Sequence, residues 1–148
     1  MSPAGSDNQH LDNLARINKL HRQAPSRSEF DGLLQSGRRR LNDARRRELS
    51  LESQFDLAYN AAHSLALAAL RQHGFRSESR YLVFQCLQHT VDLGATDWRI
   101  LDQAHRKRNL AEYEGHLEID EALVASTIRV AEKVLARLEG LEPPAAAR

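Results

Sequence analysis

The chain has 148 residues, 41% of them hydrophobic and 28% charged, with a formal net charge of +1. These values describe one soluble domain, large enough to bury a core without cross-links. Its single cysteine, Cys86, excludes an internal disulfide framework and a Cys-based zinc site, and reads as a core thiol.

The predicted elements are all helical, because no segment alternates as a strand does. Residues 1–8 read as a flexible tail. A first helix is expected over about residues 9–21, with Leu11, Leu14, Ile17 and Leu20 as its apolar stripe, ended by Pro25. Ser26 and Glu29 form a capping-box pattern that opens a second helix over about residues 27–47. Leu33, Leu34, Leu41 and Ala44 are its apolar positions.

Ser50 can cap a third helix that runs to about His73 and stops at Gly74. Ser77 or Ser79 opens a fourth, carrying Tyr81, Leu82, Cys86, Leu87 and Leu93 and stopped by Gly94. Thr96 can cap a fifth, with Trp98, Leu101, Ala104 and Ala111 facing inward and a stop at Gly115. Asp120 caps a sixth, which runs to Gly140, and Ile119 and Val124 have hydrophobic-staple spacing around that cap. Residues 142–148 read as a second flexible tail. Short connections among the last four helices imply antiparallel neighbours. The expected architecture is an all-α, up-down four-helix bundle over residues 48–141, with residues 9–47 as an N-terminal two-helix extension. No internal repeat is visible. Residues 1–9 are polar and the longest apolar run, 65–70, is too short for a bilayer, so a cytoplasmic protein without membrane contact is expected.

Charge is unevenly spread. Residues 37–47 carry six arginines against one aspartate, and residues 112–142 carry eight acids against three bases. The triads Arg38–Arg40 and Arg45–Arg47 are seven positions apart, nearly two helical turns, and share a broad face. Arg39 and Arg46 are therefore candidate contacts to a phosphate backbone. Two other readings stand beside that one. The face is solvated and partly neutralised by Glu48, Glu52 and Asp56, or it meets the acidic 112–142 surface of a second protomer.

The segment His105-Arg106-Lys107-Arg108-Asn109-Leu110-Ala111-Glu112-Tyr113-Glu114-Gly115 concentrates the candidate chemistry. Leu101, Ala104, Arg108 and Ala111 fall three and four apart, so Arg108 continues the core-facing stripe and should emerge near Gly115. An arginine placed there needs a carboxylate or a bound anion. Arg106, Asn109 and Tyr113 form a second stripe, and Lys107 adds a further cation. The alternative is a salt-bridge network at the end of the bundle, with Tyr113 as a packed anchor.

Asp102 and His105 have helical spacing for a metal, but a hydrogen-bonded pair is the simpler reading. No phosphate-binding glycine loop, nucleophile elbow or His-x-x-x-His pair occurs, so no metal and no cofactor is expected.

A helix ending in Arg108-Asn109, with Tyr113 shortly after, resembles the HEPN superfamily. Those are small bacterial and archaeal helical bundles, often found in toxin–antitoxin and phage-defence systems. The stretch Phe55-Asp56-Leu57-Ala58-Tyr59-Asn60-Ala61-Ala62-His63, followed by Gly74-Phe75-Arg76, is similar to the family's first core helix. The resemblance covers about residues 45–140.

It implies a homodimer and metal-independent RNA cleavage, in which a histidine assists attack of a ribose 2′-OH and an arginine stabilises the phosphorane. Carried over, the arginine is Arg108, the polar residue is Asn109, and Tyr113 stands where the family has histidine. Tyrosine, with an ordinary pKa near ~10, is a poor base at neutral pH. His105 and His116 flank the motif without occupying that position. Catalytic candidates are therefore Arg108, Asn109 and Tyr113, and RNA-binding candidates are Arg106, Lys107, Arg39 and Arg46. The implied function is a toxin–antitoxin or defence component that binds RNA or a nucleotide, with ribonuclease activity as its catalytic form. A cognate antitoxin or nucleotidyltransferase would be its partner. The alternative is a non-catalytic, dimeric interaction module whose Arg-Asn-Tyr motif is structural.

Overall fold

A computed structural model describes residues 4–115 and 118–145, with side chains from residue 9 onward. Residues 1–3, His116 and residues 146–148, all touched by the expectations above, lie outside the described residues.

The chain is mostly helical. In order it forms α1 (Ala4–Arg16), β1 (His21–Arg22), α2 (Arg27–Ala44), α3 (Leu51–Gln72), β2 (Phe75–Arg76), α4 (Arg80–Gln85), α5 (Leu87–Thr90), α6 (Ala95–Glu114) and α7 (Glu121–Glu139). No described helix is long and apolar enough to cross a membrane.

Helix α3 is the centre. Phe55, Ala58, Tyr59, Ala61, Ala62, Leu65, Ala66, Ala68, Ala69 and Leu70 are all buried, so no single stripe accounts for it. A helix that is apolar nearly all round must be enclosed by neighbours. Helix α2 packs along it most extensively, and α7 next. The long helices are thus α2, α3, α6 and α7. Helix α2, expected in an N-terminal extension, closes the core with Phe30 and Leu41. Its Gly37 lies against Leu65, where an added Cβ would sit 2.5 Å from a methyl carbon.

Several ends follow local chemistry. The hydroxyl of Ser50 accepts from the Ser53 amide at 3.1 Å, and the Asp120 carboxylate accepts from the Leu123 amide at 2.7 Å. Gly115 closes α6 in the left-handed region with φ 78°. Ser26 accepts from the Glu29 amide at 3.3 Å, but the Glu29 carboxylate is drawn away from the cap by Arg71 and Arg76.

Other ends differ from expectation. Helix α1 begins at Ala4 and ends at Arg16, earlier than expected on both sides. The expected fourth helix is broken into α4 and α5, and it ends at Val91–Asp92, ahead of Gly94. Arg137 of α7 donates to the Val91 carbonyl at 2.9 Å and the Asp92 carbonyl at 2.7 Å, and Asp92 turns to φ 55°. Gly94 instead precedes α6 as its extended cap, the place expected of Thr96. Residues 142–145 were expected as tail. Gln72 donates to the Glu142 carbonyl at 2.9 Å and Pro144 is buried.

A two-residue antiparallel pairing was not expected. His21 faces Arg76 and Arg22 faces Phe75. Behind it lies Arg71, only 1% exposed. It donates to the carbonyls of Gln23 at 3.0 Å, Ala24 at 2.7 Å and Phe75 at 3.3 Å, and pairs with Glu29. Burial alone would raise the Glu29 pKa, but Arg71 and Arg76 outweigh it and hold the carboxyl below its usual range.

The acidic and basic surfaces meet within one chain. Arg38 pairs with Glu139 and Arg45 with Glu132, both across α2 and α7, while Arg46 pairs with Glu48.

Two variants test this packing. Arg71→Ala leaves three carbonyls without that donor and Glu29 with Arg76 alone, and should cost about 3–5 kcal/mol in urea unfolding. Gly37→Ala would gain roughly 0.5–1 kcal/mol of helix propensity in isolation. The approach to Leu65 outweighs that gain, so net destabilisation of about 1–3 kcal/mol is expected. A stabilised Gly37→Ala protein would contradict the α2–α3 contact.

Candidate functional site

The site is built around Tyr59. Its ring is buried among Phe55 and Phe84, with ring centroids 6.2 and 5.6 Å away. A buried phenol needs a hydrogen-bond partner. It finds Nδ1 of His105 on α6, 3.0 Å away. The other nitrogen of His105, Nε2, lies 3.2 Å from the Asn109 amide nitrogen. An amide nitrogen can only donate, so Nε2 accepts and the ring proton resides on Nδ1, which donates to the Tyr59 oxygen. Burial is the largest influence on His105 and pulls its pKa below the ordinary value. At neutral pH it is therefore an uncharged imidazole with a basic Nε2.

Two guanidinium groups flank the same tyrosine. Arg108 from α6 and Arg80 from the start of α4 each lie 5.5 Å from the Tyr59 ring centroid. Their guanidinium carbons are thus separated by at most twice that distance. Arg108 pairs with Asp56, one turn before Tyr59 on α3. Arg80 donates to the Asn60 side-chain oxygen at 3.1 Å and makes no ion pair among the described residues. Burial raises the Tyr59 pKa despite these cations, so the phenol stays protonated.

On the other side of Arg108 opens a groove of about 630 Å³, lined by Leu49, Glu52, Asp56, Leu57, Ala111 and Gly115 among others. Arg108 therefore emerges near Gly115 while its guanidinium also covers Tyr59.

The structure gathers some sequence candidates and separates others. Arg108 and Asn109 join the network through Tyr59 and His105. Tyr113 is 90% exposed and makes no hydrogen bond or ring contact among the described residues. It is not the packed anchor that the alternative reading required. Arg106 lies on the surface, paired with Asp102 at 2.8 Å. That pairing replaces the expected Asp102–His105 hydrogen bond, because Tyr59 and Asn109 occupy both His105 nitrogens. Lys107 is half-buried. Arg39 and Arg46 have no contact with Arg108 or its neighbours among the described residues, and Arg46 is engaged by Glu48. Cys86 is buried and its thiol pKa is pushed up to about 12, as suits a core residue.

Sequence reasoning missed three members. Tyr59 was read only as part of a fold resemblance, Asp56 there and as a neutraliser of the arginine triads, and Arg80 was not singled out. No spacing rule joins residues from three separate helices. The one available hint was a polar edge, Asp56, Asn60 and His63, on an otherwise apolar helix.

No family model, curated protein or solved structure matches the chain.

His63, one turn beyond Tyr59, gives a test of the interior behind the site. It packs edge-on against Phe84 at 5.9 Å, and burial lowers its pKa to about 4. The unfolded chain therefore binds a proton near the ordinary 6.5 that the folded chain refuses until about 4. Stability should fall as pH drops through that window, by up to roughly 3 kcal/mol from this group. Urea unfolding from pH 7 to pH 4 should show the loss, and His63→Gln should flatten it. An equal slope in the variant would place the titration elsewhere.

Proposed function

We propose that the chain is a HEPN-type component of a toxin–antitoxin or defence system that binds the phosphate of RNA or of a nucleotide at Arg108 and Asn109. The observation that carries this reading is the convergence of Arg108 and Arg80 on Tyr59, with His105 and Asn109 beside them. An aromatic face orients a guanidinium without consuming its hydrogen-bond donors. Asp56 holds Arg108 ready, and a phosphate offering two acceptor oxygens would compete for the same fork of donors.

RNA cleavage is the catalytic form of this reading, and it runs through His105. With the Asn109 amide turned from His105 to the phosphate, Nε2 would take the proton from a ribose 2′-OH, and the 2′-oxygen would bond to phosphorus. The 5′-oxygen would then leave with a proton from water. Arg108 would offset the charge of the pentacoordinate state. Tyr113 would act as a contact residue, since it is exposed and makes no hydrogen bond or ring contact among the described residues.

A second reading is favoured by one observation. Leu110 and Tyr113, three apart on α6, are 52% and 90% exposed. Such a pair suits a protein partner: a second copy, an antitoxin or a nucleotidyltransferase.

Expression of the wild type should slow growth and fragment cellular RNA, and Arg108→Ala should relieve both. In fluorescence anisotropy, Arg108→Ala should weaken single-stranded RNA binding at least about tenfold. If the arginine triads hold RNA, neutralising Arg39 and Arg46 should weaken binding and flatten its salt dependence. Wild-type protein that neither binds RNA nor disturbs growth would sink the nucleic-acid reading. Loss of self-association in a Leu110→Asp/Tyr113→Asp double variant would then favour the interaction module.

A further inference from the structure

Beside the two arginines lies an aromatic surface that the phosphate reading does not use. Tyr81 follows Arg80 at the start of α4 and is 45% exposed. Its ring meets Trp98 edge-on, with centroids 5.6 Å apart and planes at 67°. It also lies 6.2 Å from the His105 ring. Tyr81 is thus held between α4 and α6 while nearly half of it faces solvent. Most other large aromatic side chains here are buried, and Tyr113 stands without a ring neighbour.

The neighbouring charge completes the pattern. Arg80, adjacent in sequence, is exposed; it bonds the neutral amide oxygen of Asn60, acts on the neutral Tyr59 phenol, and makes no ion pair among the described residues. Across the Tyr59 ring stands Arg108. Of the nearby carboxylates, Asp102 and Asp56 are engaged by Arg106 and Arg108, while Glu112 on α6 acts on Tyr59 and His105 and makes no ion pair with Arg80. A fixed, exposed ring next to an uncompensated guanidinium suits a nucleotide, whose base stacks while its phosphate meets the cation. A duplex does not offer this, because its bases are already stacked on one another.

We propose that Tyr81 and Arg80 form a base-stacking and phosphate subsite that makes the Arg108 site selective for single-stranded RNA. This rests on the RNA reading above and names its substrate class. The base lies against Tyr81 with Trp98 behind it. Arg80 takes the phosphate of that nucleotide, and Arg108 the next phosphate along the strand.

The test uses the full chain and three probes: a short single-stranded oligoribonucleotide, the same strand in a duplex, and a sugar-phosphate strand of equal length lacking bases. Wild-type protein should bind the single strand best. Tyr81→Ala should weaken single-strand binding about tenfold and leave the baseless strand unaffected. Tyr81→Trp should restore the preference. Arg80→Ala should weaken all three and lower the salt slope by roughly one phosphate contact.

Trp98, the chain's one tryptophan, gives an independent signal. Its fluorescence should change on saturation with the single strand and not with the baseless strand. Circular dichroism melting of Tyr81→Ala checks that the fold is retained. The inference is overturned if Tyr81→Ala binds the single strand like wild type, or loses both strands equally. RNA binding that depends on Arg108 but not on Tyr81 defeats this inference alone. An absence of any RNA binding defeats the underlying reading as well.

Discussion

Helix α3 is enclosed over most of its length, so each polar side chain it buries must be satisfied by a neighbouring element. At its C-terminal end this constraint produces the Arg71 network. One buried guanidinium ties together the chain before α2, the α2 carboxylate Glu29 and the β2 strand. Toward its N-terminal end the same constraint sends the Tyr59 phenol to His105 on α6. The fold and the candidate site are therefore two answers to one requirement. Removing a partner at either end leaves a buried polar atom exposed to no water, which costs more than the bond itself contributes.

The charge asymmetry along the chain has a related outcome. The arginines of α2 and the acids of α7 lie on adjacent helices, and Arg38 and Arg45 reach Glu139 and Glu132 directly. Asp97 plays the corresponding part at the start of α6. It is buried, and bonds from Lys133 at 2.6 Å and Arg129 at 3.1 Å hold its carboxyl below the usual range. Each exposed pair adds little by itself. Together they fix α7 against both α2 and α6, and so set the position of Arg108 relative to α3.

What was legible in the sequence was local. Ser50, Asp120 and Gly115 act within a turn of their own position, and they start and stop helices as read. The end of α5 at Val91–Asp92, ahead of Gly94, was not legible, because Arg137 reaches it from α7. The β1–β2 pairing spans two residues a strand, too few to leave an alternating pattern. The same division holds at the site. Arg108 and Asn109 stood out because an arginine interrupts an apolar helical stripe with a polar amide beside it. Tyr59 looked like core, and Tyr81 like one more stripe residue. Only the packing of α3, α4 and α6 puts them around one point. The fully buried arginine, Arg71, drew no attention, since at the end of a helix it resembles any basic residue favoured there.

Chemically the site differs from the family pattern it resembles in where its imidazole stands. His105 lies before the arginine in sequence and is held by Tyr59 and Asn109 with Nε2 as acceptor. That arrangement, with Arg108 and Arg80 over one ring, makes a single prediction about where a strand must land. NMR titration of isotopically labelled protein with a short single-stranded oligoribonucleotide follows the Arg80 and Arg108 side-chain N–H groups and the His105 ring nitrogens together. The account predicts that all three shift and saturate at one common affinity. Shifts confined to Arg39 and Arg46, with His105 unmoved, would contradict it.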